Sequence, residues 1–220
     1  MDLLHAWRAL RRRRAYFLTA SATLALVLGA NAAIFAVVNA TLLRPMPFAA
    51  GDRVVQLFMM PPGMSDPSQR NPLLQMDLTR VRERSRTMRR LEGFLRGDRV
   101  VIESGEPTAV PGAAITPGLT AMMNIRVRLG REFRPEEGLP GHDVVLVTEG
   151  YWRRVLRESA VGTVLVVDGR PHTLVGVLAE GFPPNVVNGD VFVPLVADAT
   201  PAPRNISRYV VTFAELADGA

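Results

Sequence analysis

Residue types that commonly do chemistry are few in this sequence, and their spacing matches no catalytic motif. It has no cysteine and no lysine, and its three histidines are His5, His142 and His172. The lack of cysteine excludes disulfides, thiolate catalysis and cysteine-based metal sites, and the lack of lysine excludes the phosphate-binding loop. The histidines form no H-E-x-x-H pattern, and no serine lies in a G-x-S-x-G elbow. We therefore expect no catalytic, cofactor-binding or metal-binding residues.

The acidic residues that could act in pairs have simpler explanations. Glu136 and Glu137 are adjacent in a polar turn, so they do not face each other across a cleft, and we expect a solvated turn. Asp168 precedes Gly169 between two runs of branched residues, which is the strongest short-range signal for a β-hairpin. We interpret Asp168 as a turn former.

One long apolar stretch dominates the organisation of the chain. Residues 15–38 contain no charged side chain and directly follow Arg11–Arg14. An uncharged apolar stretch of about 20 residues is long enough to cross a bilayer as a helix. Basic residues remain on the cytoplasmic side, so we expect the N-terminus inside and residues 39–220 outside. A cleaved signal peptide and a twin-arginine export signal are the alternatives.

The apolar stretch also predicts a packing face. Ser21, Ala25, Gly29 and Ala33 recur every four residues. They lie along one side of a helix, where small side chains let another helix approach closely in lipid. Further transmembrane helices are the expected partners, either in a missing part of the same polypeptide or in a second protomer.

The net charge of +5 does not indicate a nucleic-acid partner. Much of it lies before the apolar stretch, where Arg8 and Arg11–Arg14 outweigh Asp2. No basic stripe with interleaved aromatic residues is present. We interpret the second arginine cluster, residues 80–90, mainly as a solvated helix face.

The remaining sequence predicts an α+β domain rich in short strands. Asn71-Pro72 has the form of a helix start, and the predicted helix runs to residue 86. The predicted helices are 71–86, 117–123 and 149–158. The predicted strands are 53–59, 91–95, 99–103, 106–114, 143–147, 163–167, 173–177, 191–193 and 207–213.

Two segments carry a resemblance to a known family. Residues 28–40 and 42–48 read LGANAAIFAVVNA and LLRPMPF, and they closely resemble the first transmembrane helix of MacB/FtsX-type ABC transporter permeases. Within that family they are most similar to the duplicated orphan permeases of Acidobacteria. Weaker matches follow in the family's order at residues 145–147, 151–154, 161–163, 168–169, 175–177, 181–183, 209–211 and 218–219.

The resemblance implies a division of the chain. Residues 1–14 would be a cytoplasmic basic N-terminus, residues 15–38 the transmembrane helix, and residues 39–220 a MacB-like periplasmic core domain. That domain would combine a porter-like α/β part with a β-rich insertion at residues 119–205. The porter-like part, residues 50–118 and 207–220, would be incomplete, since the family adds a second strand–helix–strand half. Three further transmembrane helices are also expected in the family.

The resemblance also implies a function and a location. An ATP-binding subunit would drive motion of the periplasmic domain for export or efflux, in the inner membrane and without enzymatic activity of this chain. The alternative is a stand-alone membrane-anchored periplasmic binding or scaffold protein. An exported enzyme is a third, disfavoured hypothesis. The chain would be either a fragment of a longer permease or a truncated relative.

Overall fold

The structure is a computed structural model, and its residues divide into two compact units, Met1–Pro45 and Met46–Ala220. The structure describes residues 14–39, 48–49, 51–60, 63, 65–66, 68, 70–103, 105–179, 181–183, 186–196 and 208–217. Residues 42–48, the second segment that carries the resemblance, lie outside the described residues except for Phe48.

The first unit contains one long helix, α1, from Arg14 to Val38, which confirms the predicted helix. Its stretch Phe17–Val38 has a mean hydropathy of 2.0 and, among the described residues, is the one helix long and apolar enough to cross a membrane. A signal sequence near the N-terminus meets the same criteria of length and composition. The helix is therefore a candidate membrane span.

The second unit is built on a mixed sheet of twelve strands in its described part. The strands are β1 Val54–Leu57, β2 Leu73–Leu74, β3 Met88–Arg96, β4 Arg99–Glu103, β5 Glu106–Val110, β6 Gly112–Ile115, β7 Val127–Gly130, β8 Val144–Thr148, β9 Val164–Val167, β10 Arg170–Leu178, β11 Val191–Pro194 and β12 Tyr209–Leu216. The helices are α2 Gln75–Arg84, α3 Leu119–Met122 and α4 Glu149–Arg154, and short 3-10 helices lie at Gly51–Arg53 and Pro135–Gly138.

The strand order is β1-β12-β3-β6-β11-β8-β10-β9-β4-β5, with β2 also paired to β12 and β7 to β10. Strands from both predicted parts of the domain therefore share one sheet. The β4–β5 hairpin, from the predicted porter-like range, lies at the far end of that sheet beside β9.

Both faces of the central strands are buried, and adjacent residues of one strand pack into two separate hydrophobic cores. On β11, Val191 and Val193 belong to the core under α2 and α4, whereas Phe192 belongs to the core under α3. We call these sides the α2/α4 face and the α3 face. Strand β8 alternates in the same way. This explains why its sequence is almost continuously apolar, as expected for a strand covered on both sides.

One end of the sheet is a split βαβ unit. Strand β1 leads through α2 to β3, and β12 lies between these two strands and pairs antiparallel with each. The register joins Val55 to Ala214 and Ala214 to Leu91. The order β1-β12-β3 is that of the first three strands of a ferredoxin-like βαββαβ fold.

The predicted hairpin at Asp168-Gly169 is confirmed, and Asp168 has a second role. Both turn residues have positive φ, 51° and 76°, as a tight two-residue hairpin turn requires. The Asp168 carboxylate also accepts hydrogen bonds from Val100 N at 2.9 Å and from Arg99 Nη1 at 3.1 Å. The turn therefore fastens β4 to the β9–β10 hairpin.

The predicted helix start at Asn71-Pro72 is wrong, because strand pairing takes those residues. Asn71 exchanges two backbone hydrogen bonds with Met59, at 2.7 and 2.9 Å, and Leu73–Leu74 pair with β12. The helix begins at Gln75 and ends at Arg84, and Ser85 is already extended. The predicted end at residue 86 is therefore too late.

Two other predictions of elements also need correction, and one strand was missed. The predicted strand 106–114 is two strands separated by Pro111, whose carbonyl oxygen accepts from Asp190 N at 2.8 Å. The predicted helix 149–158 ends at Arg154, because Arg157 and Glu158 have positive φ. Strand β7 was not predicted.

The glycine at the start of β6 is required by the packing of the sheet. A Cβ atom at Gly112 would overlap the carbonyl oxygen of Val191 and lie 2.8 Å from Arg99 Cγ, whereas a Cβ atom at Gly97 would meet nothing within 4 Å. We predict that Gly112→Ala lowers the free energy of unfolding of the full chain by about 1–3 kcal/mol, as overpacking against backbone does. Urea unfolding followed by tryptophan fluorescence measures this. Gly97→Ala is the control, and an equal loss in both variants would contradict the prediction.

Candidate functional site

The predicted small-residue face lies open along α1. Ser21, Ala25, Gly29 and Ala33 are all exposed, and a Cβ atom at Gly29 would meet nothing within 4 Å. Successive members are about 40° apart around the helix axis, so they form a stripe on one side. Its use for helix packing stays a prediction.

A groove of about 640 Å³ lies between α2 and β1 on the α2/α4 face. Leu57, Val81 and Met88 form its floor and are partly buried against the core beneath. Arg80 and Arg84 of α2 lie on its rim. The remaining lining residues are Phe58, Met59, Leu73, Asp77 and Ser85. The lining is mainly apolar, and its charged members are Arg80, Arg84 and Asp77, with Arg80 Nη1 3.7 Å from Asp77 Oδ1.

The arginine cluster at residues 80–90 is only partly the solvated face that we predicted. Arg82 donates from Nη2 to the carbonyl oxygen of Leu91 at 2.6 Å. Arg89 and Arg90 both lie 3.7 Å from the carboxylate of Glu215. These contacts connect α2, β3 and β12. Arg80 and Arg84 of α2 line the groove instead.

A smaller cleft of about 340 Å³ gathers two of the histidines. His172 is buried; its Nε2 lies 3.9 Å from Asp143 Oδ1, and its Nδ1 lies 3.0 Å from the carbonyl oxygen of Arg170. The cleft is completed by His142, Asp168, Val193, Pro194 and Val196. Among the described residues no three His, Asp or Glu side chains are placed to hold a metal ion. The cleft therefore provides one imidazole–carboxylate contact, between His172 and Asp143.

Glu137 is not the solvated turn residue that we predicted. It is 4% exposed and accepts hydrogen bonds from both Arg131 Nη groups, at 2.6 and 2.9 Å, and from Arg134 N at 2.7 Å. Burial acts to raise the pKa of this carboxyl group, but the hydrogen bonds and the charges of the two arginines outweigh burial and lower the pKa. The pair holds the 3-10 helix Pro135–Gly138 in place. Glu136, in contrast, is exposed.

Glu92 is a second acidic residue with a perturbed environment. Burial raises its pKa, and hydrogen bonds and the positive charges of Arg82 and Arg90 offset this only in part. Its Oε2 accepts a hydrogen bond from Gly118 N at 3.2 Å. Glu92 therefore attaches β3 to the turn that starts α3.

The described residues thus contain one apolar helix that is a candidate membrane span, and a mixed sheet with a mainly apolar groove. The chain belongs to the MacB-like periplasmic core domain family, whose profile matches residues 17–220. This family comprises periplasmic domains of ABC-type permeases, which are transport proteins and not typical enzymes. A comparison with curated proteins found no match.

Several solved structures share the fold. The periplasmic region of MacB from Actinobacillus actinomycetemcomitans is 11% identical, with a TM-score of 0.59 over 82% of this chain and 80% of that one. The extracellular domain of the ABC-type transporter YknZ from Gram-positive bacteria is 16% identical, with a TM-score of 0.54 over 76% and 84%. A domain described as part of a permease from Porphyromonas gingivalis is 16% identical, with a TM-score of 0.57 over 79% of each chain.

The Arg131–Glu137 pair predicts a pH-dependent stability. Because the pKa of Glu137 is lowered in the folded state, its stabilisation is present at neutral pH and is lost as the pH falls below the ordinary value of 4.5. We expect Glu137→Gln to cost about 1–3 kcal/mol at pH 7, as loss of a buried charged partner does, and less as the pH falls. Urea unfolding at several pH values measures this. Glu136→Gln should change stability by less than about 0.5 kcal/mol at every pH; a pH-independent loss in Glu137→Gln would contradict the role of the charge.

Proposed function

We propose that this chain transmits motion in an ABC-type permease, so that ATP hydrolysis by a cytoplasmic partner moves the periplasmic domain for export or efflux. One observation carries the proposal: the family match includes most of the apolar helix as well as the sheet domain, residues 17–220. A chain of this kind needs an ATP-binding subunit and neighbouring transmembrane helices. The small-residue face of α1 is suited to contact such helices.

We also propose an orientation in the inner membrane. Arg11–Arg14 precede α1 directly, and basic residues next to a span favour the cytoplasmic side. The N-terminus would then be cytoplasmic and residues 39–220 periplasmic. Membership of a family of periplasmic domains supports the same direction.

A third proposal concerns the two parts of the domain. Residues 50–118 and 207–220 would form the porter-like part and residues 119–205 the β-rich insertion. Strands β1, β12 and β3 with α2 supply half of a ferredoxin-like unit. In that fold a second helix packs beside the first, and the fourth strand pairs with the free side of the first. The corresponding places are the groove beside α2 and the edge of β1 that has no partner strand among the described residues. We propose that a helix–strand unit covers both.

A labelling experiment tests the orientation and the covered groove together, because the chain has no cysteine. Thr108→Cys is exposed at the far end of the sheet, and Ser85→Cys lines the groove. In native membranes we expect a membrane-impermeant maleimide to label Thr108→Cys while the inner membrane is intact. We expect Ser85→Cys to react several-fold more slowly there than in the purified 220-residue chain.

The labelling of Thr108→Cys and the rate for Ser85→Cys can contradict the two proposals independently. Labelling of Thr108→Cys only after the inner membrane is broken would place the domain in the cytoplasm. Equal rates for Ser85→Cys in the two preparations would show that nothing covers the groove.

Purification from native membranes tests the transport function and the packing face. We expect an ATP-binding protein to co-purify with the chain. Gly29→Leu should reduce its recovery, because a large side chain separates the helices. Ala20→Leu is the matched control, since residue 20 is nine positions before Gly29 and lies on the opposite side of the helix. If only periplasmic proteins co-purify, the anchored scaffold is the correct function; equal recovery from both variants would contradict the packing face.

A further inference from the structure

Several arginines meet at one end of the sheet. The strand register places Val54 opposite Glu215 and Glu215 opposite Arg90. The starts of β1 and β3 therefore lie on either side of the last residues of β12, and α2 ends beside them because it leads directly into β3. We call this surface the basic end, and its residues are Arg53, Arg84, Arg86, Arg89 and Arg90.

Hydrogen bonds fix the segments of the basic end against one another. Arg53 donates from Nη2 to the carbonyl oxygen of Leu216 at 2.6 Å, and Ala217 N donates to the carbonyl oxygen of Thr87 at 2.8 Å. Helix α2 ends at Arg84, three positions before Thr87. The basic end is therefore a defined surface that combines the start of β1, the end of α2 and the start of β3.

The positive charge of the basic end is only partly neutralised. Arg89 and Arg90 share one carboxylate, that of Glu215, which is buried. The side chains of the two arginines are nevertheless 58% and 45% exposed. Arg84 and Arg86 are also exposed and form no ion pair among the described residues. No acidic residue lies between the first and the last of these four arginines in the sequence.

A membrane surface is the anionic surface that this chain meets most often. Phe48 follows Val38, the last residue of α1, by ten positions, and ten residues of chain extend to at most about 35 Å. A bilayer that contains α1 is therefore always within reach of the domain. Such a tether gives the lipid headgroups a high effective concentration at the domain surface.

We propose that the basic end binds the phosphate groups of anionic phospholipids at the membrane surface. An arginine guanidinium donates paired hydrogen bonds to phosphate oxygens and keeps its charge at any physiological pH. Lipids diffuse laterally and can collect beside arginines that come from separate segments, whereas one small soluble anion could pair with only one or two of them. This inference rests on α1 as a membrane span and not on ATP-driven motion.

Fluorescence quenching in liposomes tests the contact. Thr87 is exposed between the arginines, and the chain has no cysteine, so Thr87→Cys provides a single site for a fluorophore. The full chain is reconstituted with a lipid that carries a nitroxide quencher on its headgroup. We expect several-fold stronger quenching in phosphatidylcholine that contains phosphatidylglycerol than in phosphatidylcholine alone. At about 1 M salt the Debye length is only about 3 Å, so this difference should disappear.

A second label position shows whether the contact is local. Thr108 is also exposed, and its strand, β5, lies seven strands from β3 in the sheet. We expect a fluorophore on Thr108→Cys to be quenched weakly in both lipid mixtures. Equal quenching at positions 87 and 108 would contradict a specific contact of the basic end.

Removal of charge identifies the residues that bind. Arg84→Gln with Arg86→Gln should lower the contact equilibrium about 25-fold, because each arginine near an anionic membrane contributes about fivefold. Arg126→Gln with Arg128→Gln removes the same charge from exposed positions beside the carboxyl end of β10. Since β10 runs in the same direction as β3, these positions are at the opposite end of the strands. This control pair should leave the quenching unchanged, and unchanged urea unfolding shows that both double variants fold.

Three results would overturn the proposal. They are equal quenching with and without phosphatidylglycerol, equal effects of the two double variants, and cross-linking of Thr87→Cys to an acidic protein in native membranes without quenching in liposomes. Flotation of the chain with the liposomes at about 1 M salt, where surface charges are screened, tests the span separately. Loss of flotation would contradict the span and this inference together, whereas flotation without quenching would contradict the basic end alone.

Discussion

The pairing of β12 with both β1 and β3 is the constraint on which the domain depends. This strand brings residues 209–216 between two strands that lie more than a hundred residues earlier, and Val210, Thr212 and Ala214 are fully buried there. Without β12 the two strands of the βαβ unit would be unconnected in the sheet. The same strand pairs with β2 and thereby sets where α2 begins. The position of α2 in turn defines the groove, so the main candidate site is a consequence of one long-range pairing.

The sequence predicted elements well where local chemistry decides them. Asp168-Gly169 is a turn because both residues accept positive φ, and Val144–Thr148 is a strand because its residues are apolar on both sides. It failed where long-range pairing overrides a local signal. Asn71-Pro72 has the form of a helix cap, yet its backbone bonds to Met59. The strand is interrupted at Pro111 because β5 pairs with β4, whereas β6 pairs with β3 and β11. No local sequence pattern reveals this change of partner strands.

The candidate sites also differ in whether local sequence or long-range pairing determines them. The face Ser21, Ala25, Gly29 and Ala33 needs only the helical period, so it is visible in the sequence. The groove requires the strand order, because β12 pairs with both β1 and β2 and so fixes α2 beside β1. The Arg131–Glu137 pair is an intermediate case. Its members are only six residues apart in the sequence, but the burial of Glu137 depends on the conformation of the turn around it.

The groove beside α2 constrains what can bind there. Its lining is mainly apolar, with Arg80 and Arg84 of α2 among the lining residues. It lies next to β1, which in the described part of the chain pairs on one side only, with β12. Because an apolar surface and an unpaired strand edge occur side by side there, a helix–strand unit satisfies both at once.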